Sequence, residues 1–250
     1  VYFKILKFEK TNIVNLVKNN KNNELYLDVV FNVTLEKMNL LSNIEFKTKI
    51  TDILTNSTTV KDHNISLFDI SGKVALVSGG SRGIGEMIAE GFVKNGVKTF
   101  ITSRKADQCN ETAKRLSQYG DCISIPADLT DIKEIKKIKK IIQGKVDRID
   151  ILINNAGAVW AADFDSFPEN GWDKVMDTNV KAMFFLTQEL IDLLEKSATN
   201  EDPSRVINVG SIDGIGIPRA ETYSYPASKA AVHQLTRVMA NRLANRNINI

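Results

Sequence analysis

The stretch YSYPASKA (223–230) sets two tyrosines ahead of one lysine. A phenol beside an ammonium can protonate an oxygen that is gaining negative charge, because the ammonium stabilises the phenolate left behind. Residues four apart stack on one face of a helix, whereas residues six apart point to different sides. Tyr225 and Lys229 therefore qualify as a pair, and Tyr223 does not. An unperturbed tyrosine titrates near ~10, and bringing it toward neutrality takes about 3 to 4 kcal/mol of preferential phenolate stabilisation. A fixed ammonium one turn away supplies much of that. The plainer reading is a helix start with Pro226 in its first turn and a solvated lysine, and Tyr-x-x-x-Lys by itself does not choose between the two.

A second group of residues suits phosphate. The run SGGSRGIG (78–85) directly follows the apolar KVALVS and opens a stretch of helical period. Glycines there permit a tight turn and close backbone approach, and a helix N-terminus presents unpaired N–H groups to a pyrophosphate. Contacts to a dinucleotide are expected from Gly79, Ser81, Arg82, Gly83, Ile84 and Gly85. At the end of the second strand an NAD site normally carries Asp or Glu, but this chain has Ser103 and Arg104, with Arg82 inside the glycine run. Guanidinium suits a 2′-phosphate that a carboxylate would repel, so NADP(H) is the expected cofactor, with two surface arginines as the alternative. Asp128, just beyond the third strand, is expected at the adenine, Leu129 next to it is expected to bind the cofactor, and Asn155, Ala156 and Gly157 end the fourth strand where backbone must run close to the cofactor.

The elements that would position these residues are legible as an alternation. Short β-branched runs at 73–78, 97–103, 122–127, 150–154 and 205–211 alternate with helical periods at 83–95, 106–118, 131–143, 172–195 and 225–245. That order implies right-handed βαβ units and a doubly wound parallel sheet, a three-layer α/β/α Rossmann fold. In KEIKKIKK (133–140), Ile135 and Ile138 are spaced to face inward among solvated lysines. Residues 1–66 read differently, rich in Asn, Lys and Ile, with runs such as ELYLDVVFNVTL that suit strands and no motif of chemistry. The first methionine is Met38, so part of 1–37 is read as a fragment boundary or upstream translation; the lysine-rich opening lacks the Arg and Ser bias of an organelle address.

With 250 residues, 43% hydrophobic and 25% charged, the chain can bury one substantial core plus an appendage. A net charge of +3 does not argue for nucleic acid, and no apolar run approaches the about 18 residues needed to span a bilayer. Cys109 and Cys122 fit neither a disulfide framework nor a zinc site, and His63 and His233 lie far apart, so no metal is expected and a cytoplasmic setting is, with a mitochondrial one as the lesser alternative.

Taken in order, SGGSRGIG, NNAG (154–157), Asn179, Ser211 and YPASK (225–229) resemble the short-chain dehydrogenase/reductase family over 67–250. Ser78 departs from the family's usual threonine but keeps the hydroxyl. The runs 170–188, 204–215 and 221–237 resemble more closely the rhamnolipid-biosynthesis type of 3-oxoacyl-[acyl-carrier-protein] reductase. The resemblance implies NADPH-dependent reduction of a 3-oxoacyl thioester, with Tyr225 as acid, Lys229 also binding the nicotinamide ribose, and Ser211 on the substrate oxygen. Asn179 would hold a water linking Lys229 to solvent; a helix-packing asparagine is its alternative. Ile212 and Asp213 could line the pocket, Trp160 could pack or touch substrate, and His233 reads as a packing or interface residue. The family normally continues past NINI (247–250) with a substrate-binding segment, so the chain reads as truncated after the catalytic helix, and a non-catalytic nucleotide-binding fragment is an alternative, as is a reductase of small polyols, sugars or ketones. A homo-oligomer, dimer or tetramer, is implied for the complete protein.

Overall fold

The computed structural model describes residues 13–21, 24–31 and 69–250. The chain divides into two units, Val1–Ser66 and Leu67–Ile250. In the first, β1 (Ile13–Lys21) and β2 (Glu24–Phe31) form an antiparallel pair in which Lys21 faces Glu24 and Ile13 faces Phe31. β2 takes up the first eight residues of ELYLDVVFNVTL, and the remainder lies outside the described residues.

The second unit is a six-stranded parallel sheet in the order β5-β4-β3-β6-β7-β8. Its strands are β3 (Val74–Ser78), β4 (Lys98–Thr102), β5 (Cys122–Ser124), β6 (Ile151–Asn154), β7 (Ser204–Asn208) and β8 (Ile248–Asn249). Side chains alternate across it. Ala75, Val77, Ile101 and Ile153 face a core closed by α1 (Gly83–Lys94) and α2 (Ala106–Leu116) through Ala89, Val93 and Ala113. Leu76, Phe100 and Leu152 face the opposite core, closed by α3 (Ile132–Gln143) through Ile135, Ile138 and Ile142. This two-sided burial is what the continuous β-branched runs require, and it makes the three-layer α/β/α Rossmann arrangement.

Most bounds agree with the sequence reading to within two residues, and three elements depart further, each for a physical reason. β5 is regular only to Ser124, although Ile125 and Ala127 still donate to Ile101 and Ser103 of the neighbouring chain run. Pro126 between them has no N–H to give. β7 ends at Asn208, after which Val209 makes one more bond to Asn154 and the chain leaves the sheet at Gly210. The single helix expected at 172–195 starts earlier and is broken: α4 (Glu169–Met176), a π turn (Asp177–Lys181), α5 (Ala182–Glu189) and, after Leu190, α6 (Ile191–Ser197). Val175, Leu186, Leu190 and Leu193 keep one side buried throughout, so apolar spacing does not report the change in hydrogen-bond register. α7 (Ser224–Leu243) packs Val232 and Met239 on Met183 of α5.

Candidate active site

β3 and β6 are neighbours in the sheet, while the chain leaves β3 toward β4 and β6 toward β7. The strand order reverses between them, and the crevice beyond their carboxyl ends is where open α/β sheets take ligands. The glycine run and the NNAG turn meet there. Ser78 Oγ accepts from both Asn155 N–H and Ala156 N–H, each at 3.0 Å, and the Asn155 amide donates to the carbonyls of Ser78 and Gly79 at 3.1 and 3.3 Å. The hydroxyl that serine retains at this position thus ties the two strand ends together.

Gly79 and Gly83 have φ of +66° and +55°, a region costly for side chains with a Cβ. Gly85 serves a different purpose: a Cβ there would collide with the Gly79 carbonyl and the Asn155 amide, so α1 can approach the loop only without one. At Gly83 nothing lies within 4 Å of where a Cβ would stand, and Arg82 and Ile84 beside it are exposed. No side chain among the described residues caps α1, which starts after an extended Arg82, so its first-turn N–H groups face the opening. Ser81 is buried and its carbonyl accepts from Thr112. At the end of β4, Ser103 Oγ is buried without a partner among the described residues, and Arg104 is exposed next to it. A bare helix N-terminus, a glycine-made opening, an unpartnered hydroxyl and an exposed guanidinium fit a dinucleotide phosphate group. Asp128 accepts from the N–H and hydroxyl of Thr130. The Leu129 side chain belongs to the core, which leaves only its backbone to meet a ligand.

The two tyrosines have different surroundings. Tyr223 stands edge-on to Phe164 and Phe167, with centroids 5.5 and 5.7 Å away. Desolvation, then Glu221 and Asp163, pushes its hydroxyl above the ordinary tyrosine range. Tyr225 lies under Lys229, whose Nζ is 5.7 Å from the ring centroid. Lys229 is only 6% exposed and donates to the Val209 carbonyl at 2.7 Å, which fixes the ammonium at the end of β7; burial holds its pKa below the usual lysine value. Ser211 Oγ accepts from Asp213 N–H at 3.2 Å, capping a short turn at Ile212–Gly214. A hydroxyl that accepts from backbone still has its own proton to donate.

Asn179 sits buried in the π turn. Its amide donates to the Ala158 carbonyl and to Ser228 Oγ, both at 2.9 Å, and accepts from Ala158 N–H at 2.7 Å. Both amide protons are committed to protein, so a water on Asn179 would have to use its backbone or the second lone pair of Oδ1. The sequence reading passed over Ser228, which accepts from Asn179 and donates to the Tyr225 carbonyl at 2.6 Å, joining the π turn to the first turn of α7. Its signal was its place three residues after Tyr225, on the same side of the helix.

Of the other candidates, Trp160 packs on Gly171, where a Cβ would stand 2.8 Å from the indole, with the Lys174 ammonium 5.1 Å from the ring centroid. Ile212 is 76% exposed. Cys109 and Cys122 are buried and unpaired, and burial pushes the Cys122 thiol up to about 12. Among the described residues no helix is long and apolar enough to cross a membrane, and no cluster of three or more His, Cys, Asp and Glu could hold a metal ion.

Residues 73–250 match the family model of the short chain dehydrogenases. The rhamnolipids biosynthesis 3-oxoacyl-[acyl-carrier-protein] reductase of Pseudomonas aeruginosa is 47% identical over 183 residues, covering 73% of this chain and 72% of its own. A 2-dehydro-3-deoxy-D-gluconate 5-dehydrogenase of Dickeya dadantii is 32% identical over 191 residues, covering 74% and 72%. The solved Pseudomonas aeruginosa RhlG/NADP active-site complex matches with a TM-score of 0.72 at 47% identity, covering 73% of this chain and 72% of that one. Fold, crevice and similarity agree, and the chain belongs to the short chain dehydrogenase family.

Proposed function

We propose that this oxidoreductase reduces the keto group of a 3-oxoacyl thioester, free or on an acyl carrier, with NADPH. The observation that carries the reading is the Tyr225–Lys229 pair, a phenol under a buried ammonium that is tied to the end of β7. The glycine run and the uncapped start of α1 would hold the phosphates, and exposed Arg82 and Arg104 would favour a 2′-phosphate. A bound nicotinamide supplies the hydride. Ser211 donates to the substrate oxygen, and Tyr225 gives that oxygen its proton as negative charge develops there. Lys229 stabilises the phenolate, and its tie to Val209 fixes the ammonium in place. Asn179 holds the π turn against α7 through Ser228, and a water on its backbone or on the remaining lone pair of its Oδ1 would continue the proton path to solvent. Ile212, Ile215 and Ile217, 76%, 78% and 98% exposed after Ser211, offer an apolar margin suited to an acyl chain. Buried, unpaired Cys109 and Cys122 suit a reducing, cytoplasmic setting, and exposed Trp172 and Val238 on α4 and α7 suit a homo-oligomer contact.

A sugar or polyol substrate is the second reading, favoured by the 2-dehydro-3-deoxy-D-gluconate 5-dehydrogenase relative. The test is NADPH oxidation with 3-oxoacyl thioesters of increasing length beside a panel of keto sugars, with NADH as comparison cofactor. Each buried methylene contributes up to about 0.8 kcal/mol, so kcat/KM should rise with acyl length on the thioester reading. A flat series, with turnover of keto sugars, would assign the second reading instead.

A further inference from the structure

We propose that His233 is a positioning residue: its imidazole fills the slot between Gly210 and Gly214 and so seats the turn carrying Ser211 on α7. Tyr225, Lys229 and His233 follow at intervals of four and share one face of α7. Among the described residues the glycines with positive φ are Gly72, Gly79, Gly83 and Gly96, so backbone conformation does not demand glycine at 210. The imidazole does. A Cβ on Gly210 would stand 2.5 Å from Nε2, 2.9 Å from Cδ2 and 3.7 Å from Cε1 of His233, its three nearest neighbours. On the far side of the serine, a Cβ on Gly214 would meet the carbonyl carbon of Lys229 at 2.7 Å, the nitrogen of Ala230 at 2.8 Å and Cε1 of His233 at 2.9 Å. One ring therefore touches both glycines that bracket Ser211, Ile212 and Asp213, while Gly214 rests on the backbone of Lys229 itself. The serine hydroxyl is held within that bracket by its bond from Asp213. Filling or emptying the slot moves Ser211 relative to Tyr225 and leaves the glycine run at 78–85 untouched.

This rests on the reading that Ser211 meets the substrate oxygen. The test uses the full chain as Gly210→Ala, His233→Ala and the double variant. Gly210→Ala should lower kcat on the order of 10²-fold, the scale set by misplacing a catalytic group by about 1 Å. NADPH affinity, read by fluorescence titration, should stay within about threefold, and the double variant should recover about tenfold of the lost kcat because the methyl then occupies vacated space. Wild-type kcat in Gly210→Ala, or a double variant no faster than the single, would overturn the proposal. Should Gly210→Ala alone fail to fold, folding of the double variant supports the pairing and its failure overturns it. If the wild type binds NADPH but turns over no 3-oxoacyl thioester, the reductase reading fails and crystal structures decide the pairing. Ser211 displaced in Gly210→Ala and returned in the double variant supports it; Ser211 in the same place in all three contradicts it.

Discussion

The two halves of the crevice are built by different means. On the β3 side, position is set by backbone: Gly79 and Gly83 in left-handed conformations, Gly85 pressed on the Gly79 carbonyl, and α1 starting without a side-chain cap. On the β7 side, position is set by buried and half-buried side chains that meet across long stretches of chain. Asn154 donates to Thr187 at 3.0 Å and to Asn208 at 2.8 Å, Asn208 donates to Thr236 at 2.9 Å, and Asn179 donates to Ser228 at 2.9 Å. A backbone cradle accepts any ligand with the right phosphates, whereas a wired set of hydroxyls and amides fixes single atoms. Binding and chemistry in this chain should therefore fail separately.

The largest expected effect lies on the β7 side. Tyr225→Phe should lower kcat by about 10²- to 10⁴-fold, the usual contribution of a general acid, with NADPH binding retained; Tyr223→Phe should stay within about threefold, because its ring packs with Phe164 and Phe167. The opposite failure belongs to the β3 side. Gly85→Ala should weaken NADPH binding by about 10- to 100-fold, as overpacking of roughly 1–3 kcal/mol forces α1 off the loop. Arg104→Glu should reduce the preference for NADPH over NADH by about tenfold or more, read from the two kcat/KM values, since a charge-assisted bond contributes about 1.5–3 kcal/mol. Ser228→Ala strands an amide proton of Asn179 and should cost about 1–3 kcal/mol in urea unfolding; Asn179→Ala, which also removes both bonds to Ala158, should cost more, and the double variant should cost less than the sum of the two.

The smallest effect is one of pH. Burial lowers the pKa of Lys229, so between its folded value and the ordinary lysine value the unfolded chain binds more protons than the folded one, and stability rises with pH there. Below the folded pKa both states are charged and the full penalty of the buried ammonium is present. Lys229→Met should therefore be as stable as the wild type or more so near neutrality, with that advantage shrinking as pH rises toward the ordinary lysine value, while activity is lost. Thermal unfolding across that pH range checks it. An advantage that grows with pH would mean the ammonium is not penalised by burial.

The same contrast explains what the sequence made legible. Glycines at a strand-to-helix junction, β-branched runs and the Tyr-x-x-x-Lys interval are local patterns, and the sheet with its two cores follows from them. The π turn at Asn179 was hidden because Val175, Leu186 and Leu190 preserve an unbroken buried side. Ser228 was hidden because its partner lies 49 residues away. His233 showed only a helical interval, and its relation to Gly210 needs the β7 turn folded onto α7.

The most direct test of the reductase reading follows the hydrogen itself. The full chain is given NADPH deuterated at the transferable position of the nicotinamide together with a 3-oxoacyl thioester, and the product is examined by mass spectrometry. The expected product is a 3-hydroxyacyl thioester carrying one deuterium on the former keto carbon, formed by the wild type and not by Tyr225→Phe. Bound NADPH with no labelled product, or label transferred equally well by Tyr225→Phe, would contradict that reading.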